Sequence, residues 1–195
     1  MAKRAGSKSP PHIVVGVTGS IAAYKAAELV RLMQARGWNV SVIMTRSATQ
    51  FVGEQTFLTL SRNPVAVEMF ETRAQWRPDH IAHAERADVL LIAPCTANML
   101  AKLAHGFADD LLSCTALATQ APLVLAPAMN EHMWDHPATR ANLALIQKRG
   151  GTVVEVGHGD LACGATGRGR LADLDRILKA VVRALGTGRA GRRRS

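Results

Sequence analysis

Apolar residues along this chain come in short unbroken runs, and the stretches between them carry helical spacing. The strongest run is Val89 to Ala93 (VLLIA), followed by the turn PCTAN and the helix-like run MLAKLAHGFADDLL. His12 to Thr18, Asn39 to Met44, Pro122 to Ala126 and Gly151 to Val156 are runs of the same kind. Runs with no polar alternation suit strands covered on both faces, as in a parallel sheet. Between them, Ile21 to Arg36 can place Ile21, Ala22, Leu29, Leu32 and Met33 on one helical face, and Gly37 ends that helix. Ser47 is expected to cap a helix running to about Leu60, and Asp79 a short one from His80 to Arg86. A less regular region from Ser61 to Pro78 holds a short strand at Val65 to Val67. Pro137 opens a helix to Arg149, and a last helix spans Asp173 to Leu185. Strands alternating with helices predict a parallel, three-layer α/β fold with right-handed crossovers.

Length adds that this is one domain. A chain of 195 residues holds one well-cored unit, expected over residues 13–185. Residues 1–12 and 186–195 read as basic, disordered tails. Those tails also explain the charge. They hold Lys3, Arg4, Lys8, Arg189, Arg192, Arg193 and Arg194 and no acidic residue, so seven of the nine net positive charges are theirs and the core keeps +2. The charge therefore does not predict a nucleic-acid partner. No apolar run approaches the roughly 20 residues of a membrane helix. The N-terminus lacks the apolar segment of a secretory signal, and a cytoplasmic protein is expected. Three cysteines without CxxC spacing favour neither a disulfide framework nor a metal site.

The candidate chemistry collects at strand ends. In VTGSIAAYKAAEL a strand passes through Gly19 and Ser20 into a helix N-terminus, an arrangement that cradles phosphate or simply makes a tight capped turn. It is neither GxxxxGK[ST] nor GxGxxG, which disfavours ordinary ATP or NAD binding. Thr45 and Ser47 stand after the second strand, Thr96 and Asn98 after the central one. Small hydroxyl and amide groups there suit a phosphate or a flat heterocycle, so together with Gly19 and Ser20 they point to a mononucleotide such as FMN. His80 and His83 share a helix face, with no third ligand at metal spacing. Asn130, in APAMN, can bind a substrate carboxylate or cap a helix. Finally, GHGDLACGATGRGRL, residues 157 to 171, reads as a mobile loop of the sort that closes over a site, and Cys163 within it as a functional thiol.

Taken in order, TGSIAAYKA, DHIAHAERAD, APCTANMLAKLAHGFADDLL, APAMNEHMW and ACGATGRGRL resemble the flavin-containing cysteine decarboxylases, over about Ile13 to Leu185. The resemblance implies a flavodoxin-like (Rossmann-like) three-layer fold and non-covalent FMN held by Gly19, Ser20, Ile21, Thr45, Ser47, Thr96, Ala97 and Asn98. It implies homotrimers, or dodecamers built from trimers, with the flavin at the subunit contact. The family's catalytic histidine falls on His80, its PAMN substrate segment on Ala128, Met129 and Asn130, and its ACG thiol on Cys163. The implied substrate is 4′-phosphopantothenoyl-cysteine, converted to 4′-phosphopantetheine in coenzyme A biosynthesis. In the family's scheme His80 serves as base while the thiol carbon is oxidised. CO2 then leaves an ene-thiol, and Cys163 gives the proton for its reduction.

Three alternatives remain open at this point. Peptidyl-cysteine decarboxylases that modify lantibiotic precursors stop at the ene-thiol and lack that cysteine. A flavin prenyltransferase would not need it, and a non-catalytic flavin-binding regulatory subunit can lack the histidine or the cysteine. Two departures from the family pattern stand out: His83 replaces a usually aliphatic residue, and the chain ends in GTGRAGRRRS without the ligase domain fused in many bacteria.

Overall fold

The strand Val89–Cys95 (β4) is buried along its whole length, and the sheet grows outward from it on both sides. The computed structural model of the chain describes residues 9–70, 77–160, 164 and 166–191. Before β4 come β1 (His12–Val17), α1 (Ala23–Ala35), β2 (Asn39–Met44), α2 (Glu54–Ser61), β3 (Val65–Ala66) and α3 (Asp79–Arg86). After it come α4 (Ala97–His105), α5 (Leu111–Ala118), β5 (Leu123–Pro127), α6 (Glu131–Asp135), α7 (Pro137–Lys148) and β6 (Thr152–Val153). A hairpin of β7 (Gly157–Asp160) and β8 (Thr166–Arg170) and the helix α8 (Leu174–Gly191) complete it.

The large sheet has the order β3-β2-β1-β4-β5-β6 with parallel neighbours throughout, so the three-layer α/β expectation holds. Side chains alternate between two apolar layers, as a strand's period of two requires. Ile13, Val15, Val17, Leu91 and Ala93 meet α1 and α8 on one face; Val14, Leu90, Ile92 and Cys95 meet α4, α5 and α7 on the other. Both faces being covered is why these strands read as solid apolar runs.

Several local expectations give way to the structure. Ser47 does not cap a long helix: it makes no side-chain cap bond, a 3-10 turn covers Ala48–Gln50, and the extended Gly53 opens α2 separately. Pro78, also extended, takes the N-cap of α3, which leaves Asp79 inside the first turn. β4 continues through Pro94 and Cys95 beyond its apolar run, with a cis Ala93–Pro94 peptide and a register shift against β5. The sequence reads residues 157–171 as a mobile loop, yet β7 and β8 pair antiparallel there. With glycines at alternate places, the side-chain alternation that marks a strand was missing from the sequence. α8 runs on to Gly191, so residues 186–191 are helical where a tail was expected. Cys163 lies outside the described residues. Cys95 is fully buried, which pushes its thiol well above the ordinary range. Cys114 is half-buried and donates to the Ala108 carbonyl at 3.3 Å.

At the start of β1, His12 donates its backbone N–H to Asp88 Oδ2 at 2.9 Å, and its ring Nε2 lies 2.9 Å from Ser41 Oγ. Burial first, then the Arg86 charge, holds its imidazole below the ordinary value, with Asp88 opposing. The unfolded chain therefore takes up this proton at higher pH than the folded one. Stability should be full at about pH 7.5 and fall as pH drops through about 6.5 toward the depressed folded value. Urea midpoints measured across that window check this, and His12→Gln should flatten the decline.

Candidate functional site

The chain turns away in opposite directions after β1 and β4, because β1 is followed by β2 on one side and β4 by β5 on the other. Ligands of such sheets sit in the crevice beyond these two carboxyl ends. Here one side chain binds the crevice together. Thr18, just past β1 and almost wholly buried, donates its hydroxyl to the Pro94 carbonyl at 2.8 Å and accepts the Thr96 N–H at 3.0 Å. Thr96 in turn caps α4 by accepting from the Met99 N–H at 3.3 Å. Thr18→Val keeps the shape but strands both partners. It should cost about 2–4 kcal/mol of stability, read as a lower urea midpoint. Loosening the crevice should also reduce the recovery of the flavin that the resemblance implies, measured by absorbance.

A cavity of about 1060 Å³ opens at this point. Gly19, Thr45 and Ser47 line it from the β1–β2 side, and Thr96, Ala97 and Asn98 from the β4 side. Its size matches the upper end of small-molecule sites, roughly 300–1,000 Å³. Gly19 is needed for close approach, since a Cβ there would lie 2.5 Å from Ser47 Cβ. The Thr45 hydroxyl is buried without a hydrogen-bond partner, on a residue that lines this space. A buried hydroxyl without a partner is costly, so a rotation of this side chain toward a polar ligand group in the cavity would be favourable. The donor set therefore fits a mononucleotide such as FMN.

The charges at the site are largely paired among themselves. Lys102 on α4 lines the floor and bridges Asp109 at 2.7 Å and Asp110 at 2.6 Å. Burial alone would lower its ammonium pKa, but the bonds to the two carboxylates outweigh that and raise it, so it stays charged. Asp110 also caps α5 by accepting from the Ser113 N–H at 2.8 Å, with a reciprocal bond from Asp110 N–H to the Ser113 hydroxyl. The Lys102 bridge thus fixes the α4–α5 connection under the cavity. At the mouth, Arg46 pairs with Glu68 at 2.7 Å across an exposed rim, where the bond itself stabilises little.

The structure brings together six of the expected cofactor residues, Gly19, Thr45, Ser47, Thr96, Ala97 and Asn98. Ser20 stands beside them and closes the turn, its hydroxyl accepting from the Ala22 N–H at 3.3 Å; Ile21 follows with its side chain exposed. His80, half-buried on the first turn of α3, does not line the cavity of this single chain, nor do Ala128, Met129 or Asn130. Ala128 is a core residue. Asn130 caps α6, its Oδ1 accepting from the His132 N–H at 2.9 Å, so the cap reading of this residue holds. His83 is buried within the α3 packing.

Several contributors leave no clear mark in the sequence. Thr18 looks like an ordinary strand end, and its role depends on a partner 76 residues away. Lys102 reads as one cation on an apolar helix, and its pairing with Asp109 and Asp110 depends on how the chain turns after that helix. Met133, half-exposed on α6, and Phe70, 90% exposed, line the rim and carry no polar signal at all. Among the described residues no cluster of His, Cys, Asp and Glu is placed to hold a metal ion. No helix among them is long and apolar enough to cross a membrane.

A family model described as Flavoprotein matches residues 1–186. A "Probable phosphopantothenoylcysteine decarboxylase" of Streptococcus mutans is 43% identical over 175 residues, covering 89% of this chain and 98% of that protein. The "Coenzyme A biosynthesis bifunctional protein CoaBC" of Bacillus subtilis is 44% identical over 168 residues, 86% of this chain and 41% of that protein. The chain thus spans about two fifths of the length of this bifunctional relative. Among solved structures, the FMN-dependent cysteine decarboxylase SpaF superposes with a TM-score of 0.80 at 30% identity, covering 92% of this chain and 98% of that one.

Proposed function

The chain belongs to the flavoprotein family, among its flavin-containing cysteine decarboxylases, and from that premise we propose that it decarboxylates 4′-phosphopantothenoyl-cysteine to 4′-phosphopantetheine in coenzyme A biosynthesis. The observation that carries this reading is the cavity at the β1/β4 crevice, with its unsatisfied Thr45 hydroxyl and six family-matched residues on its wall. FMN bound there supplies a reversible two-electron exchange, so no external electron donor is needed. Gly19, Thr45, Ser47, Thr96, Ala97 and Asn98 would hold it, with Ser20 closing the turn beside them.

The remaining work falls to the chain's own groups. Asn130 holds the substrate carboxylate, which must be fixed for CO2 to leave in one direction. His80 accepts the proton that the substrate cysteine gives up. Cys163 returns a proton when the ene-thiol is reduced. This thiol separates the coenzyme A reading from enzymes that stop at the ene-thiol.

His80 and Asn130 are not on the cavity wall within one chain, which supports a site completed by neighbouring copies in a homotrimer or a dodecamer of trimers. Phe70 and Met133, exposed apolar side chains on the cavity rim, fit such a contact. A cytoplasmic location accords with this substrate. Incubating the purified, flavin-loaded protein with 4′-phosphopantothenoyl-cysteine and weighing the product tests the proposal. A saturated thiol supports it; an ene-thiol points to the peptidyl-cysteine branch, and absence of CO2 release overturns it.

A further inference from the structure

The hairpin strand β8 is tied to the chain on both flanks of Asn130. On one side the Met129 N–H donates to the Gly169 carbonyl at 2.9 Å. On the other the Arg168 N–H donates to Glu131 Oε1 at 3.0 Å, and Arg168 Nη2 reaches Asp135 Oδ2 at 2.9 Å. The approach is closer than side chains allow. A Cβ on Gly169, at φ +116°, would clash with the Met129 carbonyl oxygen, and one on Gly167 would lie 2.5 Å from Glu131 Oε2.

These ties differ in strength. The Arg168–Asp135 ion pair is about half exposed on both sides, so water competes with it. The bond from the Arg168 amide to the Glu131 carboxylate is charge-assisted and directional, and the missing side chain at Gly167 leaves room for that carboxylate. Glu131 directly follows Asn130 and begins α6, so its carboxylate links the helix that Asn130 caps to β8.

We propose that Glu131 is a positioning residue: its carboxylate latches β8 to the Asn130 segment, holding hairpin and substrate-binding amide in one arrangement. The proposal rests on the reading of Asn130 given above, and it assigns Glu131 no contact with substrate. Its signature is a loss in substrate affinity together with a loosened amide at Arg168.

The test compares flavin-loaded wild type with E131A, E131Q, G167A and the double variant E131A/G167A. E131A should raise KM about tenfold with little change in kcat, flavin content or thermal midpoint. E131Q should recover most of the loss, because an amide oxygen still accepts from the Arg168 N–H. G167A alone should be impaired, its Cβ meeting the carboxylate, while E131A/G167A should be no worse than E131A. Hydrogen exchange at the Arg168 amide should accelerate in E131A. Wild-type KM in E131A, multiplicative losses in the double variant, or unchanged exchange at Arg168 overturns the latch. Should the wild type show no turnover, the decarboxylase reading fails and the Arg168 exchange rate alone decides: faster exchange in E131A upholds the latch, and an unchanged rate overturns it.

Discussion

Replacing Cys163 with Ser is expected to leave CO2 release intact and to stop the reaction at the ene-thiol, a product lighter by two hydrogens than 4′-phosphopantetheine. A thiol with a pKa of about 8.5 can give up a proton near neutrality, whereas a serine hydroxyl is far too weak an acid. Loss of a positioned acid typically slows its step by about 10²–10⁴-fold. Mass analysis of the product beside a CO2 assay reads the two half-reactions separately. Equal loss of both would show that the thiol serves binding or folding instead. Glycine-rich strands flank this cysteine, and β8 is fastened to the Asn130 segment by Met129 and Glu131.

His80→Asn should abolish CO2 release itself, by about 10²–10⁴-fold, while the protein keeps its flavin. Asparagine retains hydrogen-bonding capacity and has no basic nitrogen at neutral pH. Because His80 is not on the wall of the cavity lined by Gly19 and Thr96, flavin absorbance should match wild type. Its absence from the cavity wall within one chain supports a further expectation. Mixed oligomers of His80→Asn and Asn130→Ala subunits should regain activity that neither variant has alone. Mixtures as inactive as their parents would place the whole site within one subunit.

Much of the fold was legible because burial on both sheet faces leaves a direct mark. β2 was bounded as found, and β1, β4 and β5 within two residues or fewer at each end, since each is an apolar run stopped by a turn. Elements without such a mark were misread. The hairpin of β7 and β8 is rich in glycine and shows no alternation, so it looked like a loop. The break between the 3-10 turn and α2 depends on an extended Gly53, and Ser47 serves as a neighbour of Gly19 where a helix cap was expected. The tail after residue 185 looked disordered from its composition, but α8 continues to Gly191.

At the site the same division holds. Residues that stop a strand or open a helix leave a local signature, and so Gly19, Thr45, Ser47, Thr96 and Asn98 could be named from the sequence. The sequence by itself determined the parallel three-layer sheet, because hydrophobic periodicity is a local consequence of which faces are buried. It also determined which strand ends carry small hydroxyl and amide groups. Only the tertiary structure decided that Thr18 locks β1 to β4, that Lys102 is held by Asp109 and Asp110, and that Glu131 meets Gly167 and Arg168. Those contacts depend on distances between segments far apart in the chain, and no local pattern of residues encodes a distance.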